Sequence, residues 1–223
     1  MKVLIFDSSS LITLTMNGLT SLLVDLKKIF QGKFIITEAV KYETIDHPGN
    51  IKRFELEALQ IKKLLADNIL ELPESLNITG KEIKEKTKEM LARINNSFYA
   101  KEFIHLVDEG EVSCLALFSL LKEKGIESVI AIDERTTRMM IENPENLKEL
   151  LKSKLHTSIS LKQNLSFLGN PKFIRSAELV YVAYKKGLIS IKSSNILDAL
   201  LYATKFKGCS ISEQEIEEIK RLG

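Results

Sequence analysis

An α/β fold with a central, mainly parallel sheet is what this sequence predicts, and three observations predict it. Residues 3–6 (Val-Leu-Ile-Phe), 34–36 (Phe-Ile-Ile) and 128–132 (Ser-Val-Ile-Ala-Ile) are short, almost unbroken apolar runs, the pattern of strands covered on both faces. Between them lie longer stretches whose apolar residues recur at helical spacing. The first and third runs end directly on a carboxylate, Asp7 and Asp133. Strands and helices that alternate in this way pair in parallel.

Each element has its own signal. After the first run, residues 10–29 read as helix through Leu11, Leu14, Leu19 and Leu22 to Ile29, broken at Asn17-Gly18. Thr37 follows the second strand and is placed to cap a helix, which His47-Pro48-Gly49 stops. Residues 51–66 carry Ile51, Phe54, Ala58, Ile61, Leu64 and Leu65 at helical spacing, and Ile69–Leu72 reads as a strand ended by Pro73. Residues 79–107 read as one long charged helix, with Ile83, Met90, Ile94, Phe98 and Phe103 as its apolar positions. Gly110 opens the next helix, which runs to Lys124 with Gly125 as its cap.

Beyond the strand at 128–132 the alternation stops. Asn143-Pro144 starts a helix through Leu155, a polar stretch covers 156–170, and helices are expected at 171–187 and 194–207. A last helix starts at Ser212, where Ser212 and Glu215 form a capping-box pair. The division is an α/β domain at 1–142 and a mostly helical extension at 143–223 packed on it. No Gly-, Pro- or Ser-rich linker separates the two, and no internal repeat is visible.

Composition narrows the class. With 32 basic and 30 acidic side chains in 223 residues the net charge is +2, so a nucleic-acid partner would need a local basic patch. Cys114 and Cys209 stand far apart in no Cys-x-x-Cys pair, which offers no disulfide framework or zinc cluster. The N-terminus lacks the apolar core and cleavage site of a signal peptide, and no apolar run reaches the ~18 residues that cross a bilayer. The expectation is a soluble, cytoplasmic protein with no membrane contact.

The chemistry is in the acids. Ligands of a parallel sheet gather at the carboxyl ends of its strands, so Asp7 and Asp133 point into one crevice. Glu43, in Thr-Glu-Ala-Val-Lys-Tyr-Glu, and Glu111, in Asp-Glu-Gly-Glu-Val-Ser, sit near helix starts, where the helix dipole favours a carboxylate. Glu38 is the rival of Glu43, and Asp108 and Glu109 are the rivals of Glu111. Such carboxylates raise one another's pKa unless a cation intervenes. A hard divalent ion, Mg²⁺ or Mn²⁺, prefers their oxygens and makes water nucleophilic in phosphodiester hydrolysis. Ser9 could donate a hydrogen bond there, and Arg138, a turn past Asp133, could grip a phosphate. Each residue also has a plain role. Asp7 suits a turn or cap, Asp133 could cap the helix of Glu-Arg-Thr-Thr-Arg, and Glu111 suits any first helical turn. His47, His105 and His156 lack ligand spacing. Asp198 and the charged run Lys81–Lys88 read as solvated helix faces.

Taken in order, Phe-Asp-Ser-Ser-Ser-Leu-Ile, Thr-Glu-Ala-Val-Lys-Tyr-Glu, Gly-Glu-Val-Ser-Cys-Leu-Ala-Leu-Phe and Ala-Ile-Asp-Glu-Arg-Thr-Thr-Arg resemble the motifs of PIN-domain proteins. The resemblance spans roughly residues 1–142. It implies a three-layer PIN-like fold and a metal-dependent nuclease that cuts RNA, often as a homodimer. Its metal acids would be Asp7, Glu43, Glu111 and Asp133, with Ser9 and Arg138 on the substrate. The Val-x-x-Glu motif, on Val40 and Glu43, favours Glu43 over Glu38. Many relatives are toxins held by an antitoxin partner. The helical insertion at 51–107 and the extension depart from that compact pattern and favour a stand-alone RNA-processing enzyme of the archaeal kind. Two other readings are a catalytically silent PIN-fold RNA-binding or scaffold protein and a phosphotransfer receiver; the latter wants a second acid where Ser8 and Ser9 stand.

Overall fold

The apolar run at residues 3–6 becomes the centre of the sheet. In the computed structural model, which describes residues 1–222, strand β1 (Lys2–Phe6) pairs in parallel on one side with β2 (Gly32–Ile35) and on the other with β4 (Glu127–Ala131). Strand β6 (Lys172–Ile174) extends the sheet beyond β4, giving the all-parallel order β2-β1-β4-β6. Ile5 lies opposite Ile35 and Ile130, and Leu4 opposite Phe34 and Val129. Val3, Leu4, Ile5 and Phe6 are all buried. Each such side chain contributes about 1.5–3 kcal/mol by leaving water, which is why a central strand can be apolar on both faces.

Parallel neighbours need long crossovers, and helices fill them. Between β1 and β2 run α1 (Ser8–Met16) and α2 (Thr20–Ile29), separated where Gly18 adopts a φ of +67°. After β2, Thr37 caps α3 (Glu38–Lys41) by accepting the Val40 N–H at 3.2 Å. That helix widens into a π-helical turn, Tyr42–Asp46. Helices α4 (Glu55–Ala66) and α5 (Gly80–Asn95) follow, then strand β3 (Phe98–Tyr99) and α6 (Glu109–Glu123), which packs against β1 and β4. Past β4 come α7 (Arg135–Glu142), α8 (Pro144–Leu155), strand β5 (Ser160–Leu161), then β6, α9 (Ser176–Lys185), α10 (Ile196–Phe206) and α11 (Glu213–Arg221). No helix among the described residues is long and apolar enough to cross a membrane.

Three expectations are corrected. Ile69–Leu72 is not a strand; one isolated bridge joins Glu71 to Ile35. Pro73 at once starts a 3₁₀ turn, and Glu71 is held by Lys27 and Lys33 at 3.2 and 2.6 Å. The long helix at 79–107 ends at Asn95, whose Oδ1 accepts the Leu106 N–H at 2.9 Å and folds the chain back. Phe98 then joins the antiparallel ladder of β3 with β5, while Phe103 makes an isolated antiparallel bridge with Tyr99 and meets its ring edge-on at 5.2 Å. Their spacing matched a helix by coincidence of short-range pattern. The helix expected at 171–187 begins as β6, and α9 starts only at Ser176. A run as short as Lys172-Phe-Ile is ambiguous between strand and helix until it finds a ladder partner.

Because β6 belongs to the same sheet, the segment after residue 142 completes the core. A fragment of residues 1–142 is expected to lose cooperative thermal unfolding by circular dichroism, while the full chain unfolds in one sharp transition.

Candidate active site at the strand ends

The β1–β4 ladder continues one residue past β1, because the Asp7 N–H donates to the Ala131 carbonyl at 2.9 Å. This carries Asp7 to the point where the chain leaves the sheet in opposite directions from neighbouring strands, the usual crevice of parallel α/β folds. Asp7 is 1% exposed and is the N-cap of α1. Its Oδ2 accepts both the Ser9 N–H at 3.0 Å and the Ser9 hydroxyl at 2.5 Å. Its Oδ1 is buried with no hydrogen-bond partner among the described residues. One oxygen therefore caps the helix and the other is left over. Burial, joined by the Glu43 charge and opposed by the Ser9 donors, pushes the Asp7 carboxyl up to about 6.

Ser9 also accepts the Asp133 N–H at 3.0 Å, and Ser10 donates to the Ala131 carbonyl at 2.9 Å. The two hydroxyls tie the end of β1 to the end of β4. Asp133 itself is fully buried and turned toward the next strand's exit. Its Oδ1 accepts the Ser176 N–H at 2.7 Å and its Oδ2 accepts the Ser176 hydroxyl at 2.7 Å. Asp133 thus anchors the start of α9. Capping of α7 falls to Glu134, whose oxygens accept the Thr136 and Thr137 N–H groups at 2.7 Å each. Arg138 lays its guanidinium on two backbone carbonyls, Ser210 at 3.0 Å and Glu134 at 3.3 Å.

Glu43 approaches from the π-helical turn and lies against Gly110. A Cβ at Gly110 would overlap the Glu43 carboxylate oxygens, so glycine is what lets the carboxylate reach the α6 N-terminus. Burial raises the Glu43 carboxyl, and Asp108 and Glu109 raise it further, while Ser8 and the Gly110 N–H hold it back. Glu111 accepts the Asp108 N–H at 2.9 Å in a capping box. Burial, then the charges of Asp7, Glu134 and Asp108, push its carboxyl up to about 8. Of the rivals, Glu38 is exposed beside Lys41 at 3.3 Å, Asp108 is exposed beside His105 at 2.9 Å, and Glu109 is exposed in the first turn of α6. Asp198 pairs with Lys220 at 2.6 Å, and His156 is a left-handed helix end at φ 48°.

Asp7 is thus within electrostatic reach of Glu43 and of Glu111, and Asp133 is engaged with Ser176. No three acid, imidazole or thiol side chains among the described residues are gathered closely enough to share one ion. By donor chemistry carboxylates suit a hard divalent cation, and Asp7 carries an unsatisfied buried oxygen, but Asp7, Glu43 and Glu111 do not converge on one point as they stand; both Asp133 oxygens already accept from Ser176. Ser176 and Ser210 were not legible as partners of the site, because the strand that brings Ser176 in was itself hidden. No family model matches the chain, and no solved structure matches it. Over 96 residues it is 27% identical to a protein named as an ABC transporter ATP-binding protein of Bartonella quintana (strain Toulouse). That stretch spans 43% of this chain and 42% of the relative. The chain has no Gly-x-x-x-x-Gly-Lys-Ser/Thr loop, the element that cradles nucleotide phosphates.

Two outcomes follow from this geometry. Ser176→Ala leaves the buried Asp133 carboxylate short of a donor and should cost about 1–3 kcal/mol, read from urea unfolding midpoints. The raised carboxyls of Asp7 and Glu111 bind protons more tightly in the folded than in the unfolded chain, so stability is greatest in mild acid and falls as pH rises through about 6 and about 8. The melting temperature should decline across that window, and less steeply in Glu111→Gln.

Proposed function

We propose that this chain is a metal-dependent endoribonuclease of the PIN type, acting in RNA processing or turnover. The observation that carries the reading is the buried, unpartnered Asp7 Oδ1 at the end of the central strand, beside Glu43 and Glu111. The order of the four motifs and the parallel sheet around β1 support the same reading. Asp7, through its free Oδ1, would be the ligand that meets the ion first, with Glu43 and Glu111 as the neighbouring acids. Mg²⁺ or Mn²⁺ supplies a nucleophile from water at neutral pH and charge neutralisation at phosphate. Ser9 fixes Asp7 by binding only Oδ2, which leaves the second oxygen for the ligand. Gly110 gives Glu43 its room. Glu111 holds its proton near neutrality, so loading with the cation is coupled to proton release. Asp133 and Arg138 act in this scheme as positioning groups, through Ser176 and Ser210.

One observation favours a second reading, a catalytically silent PIN-fold RNA-binding or scaffold protein: Asp133 and Arg138 are both spent on internal contacts. Incubating labelled single-stranded RNA with Mn²⁺ separates the two. Under the nuclease reading the wild type cuts the RNA, and Asp7→Asn lowers the rate at least about a hundredfold with an unchanged circular-dichroism spectrum. Equal cleavage by the two proteins would sink the assignment of Asp7. Mn²⁺ titration by calorimetry should release protons, with more released at pH 7 than at pH 9.

A further inference from the structure

Next to Glu43, a cleft of about 420 Å³ opens between α3 with its π-helical turn and the first half of α5; Asp7 is not part of its wall. Its wall includes Pro73 and Ile83, both buried, and Tyr42 stands at it with 58% of its surface exposed. Thr87 is also part of the wall, and its buried hydroxyl has no hydrogen-bond partner. The charged groups are unbalanced. Glu43, Glu74 and Glu109 line the cleft with no ion-pair partner among the described residues, and Lys84 is the one lysine on it, also unpaired. Glu38, the other acid there, is taken by Lys41.

We infer that this cleft is a nucleobase pocket that selects guanine, seated beside the proposed cleavage site through the shared Glu43. The inference rests on the nuclease reading for its biological sense but not for its chemistry. A planar ring fits an apolar wall with an exposed tyrosine, and base-on-aromatic stacking is a strong and general contact. Carboxylates accept and never donate when ionised. Guanine alone among the four bases presents two adjacent donors, N1–H and N2–H, that one carboxylate accepts side by side. Its O6 acceptor lies next to them and suits the Lys84 ammonium. A metal ion is a poorer occupant, because the Lys84 ammonium on the same wall repels a cation. An arginine of a partner peptide would match the carboxylates but would be repelled by Lys84.

The test uses the intact chain and nucleosides, so that no phosphate bridges to the acidic site. Guanosine, inosine, adenosine, cytidine and uridine are titrated by saturation-transfer NMR, with tri-arginine as a competitor. Guanosine should bind most tightly. Inosine, which lacks the N2 amino group, should bind roughly tenfold more weakly. Tyr42→Ala should weaken guanosine binding roughly tenfold, Tyr42→Phe should retain it, and Asp7→Asn should bind it as the wild type does. No measurable binding, equal affinity for all five nucleosides, or stronger binding of tri-arginine would overturn the pocket. Guanosine binding retained in a protein that cuts no RNA would support the pocket while removing the nuclease reading.

Discussion

The parallel pairing of β1 with β4 is the contact on which the rest of the molecule depends. It places two strand exits side by side, and its last rung is made by the backbone of Asp7 itself, through the Ala131 carbonyl. Ser10 adds a second bond to that same carbonyl, and Ser9 reaches across to the Asp133 N–H. The serine run after Asp7 is therefore a clamp between neighbouring strands as well as the first turn of α1. A shift of one residue in this register would take the Asp7 N–H off the Ala131 carbonyl and break the serine bonds that join the two strand ends.

That clamp divides the Asp7 carboxylate between two jobs. Capping α1 consumes Oδ2, through the backbone and hydroxyl of Ser9. The remaining oxygen is buried, charged when ionised and without a donor, a state that costs stability unless a proton or a cation relieves it. Burial is the main reason that the carboxyls of Asp7 and Glu111 both rise, and neighbouring charge adds to it, from Glu43 on Asp7 and from Asp7 on Glu111. The fold holds this repulsion in place because each acid is also fastened locally, Glu111 by the Asp108 N–H and Glu43 against Gly110.

The last third of the chain is joined to the site through a few polar contacts. Asp133 receives Ser176 at the start of α9, and its carbonyl receives the Ser210 N–H at 3.2 Å. The Ser210 carbonyl accepts from both Arg138 and Arg175, and Arg175 continues to Glu178 and Glu215. Residues separated by more than seventy positions in sequence are thereby held around one end of the sheet. Such buried charge-assisted bonds are costly to break one at a time, which makes the site sensitive to changes far outside its acids.

Local pattern was enough for much of this. Apolar runs at 3–6, 34–36 and 128–132 identified the two inner strands, β1 and β4, and the edge strand β2, because strands covered on both faces are written as near-continuous apolar runs. The break at Asn17-Gly18 and the caps at Thr37 and Ser212 were legible because capping chemistry is local. Asp7 was legible as an acid at a strand end and Glu43 as an acid near a helix start; that Glu43 lies against Gly110 while Glu38 is exposed came only with the fold. Two things were decided only by tertiary structure. Lys172–Ile174 became a strand because the edge of β4 was open to receive it, a partner more than forty residues away that no local window contains. Asp133 gave its oxygens to Ser176 instead of to the crevice because that same strand delivered Ser176 beside it. The sequence by itself determined which residues are acidic, apolar or turn-forming; where each carboxylate spends its lone pairs depended on which distant donor the sheet brought within 3 Å.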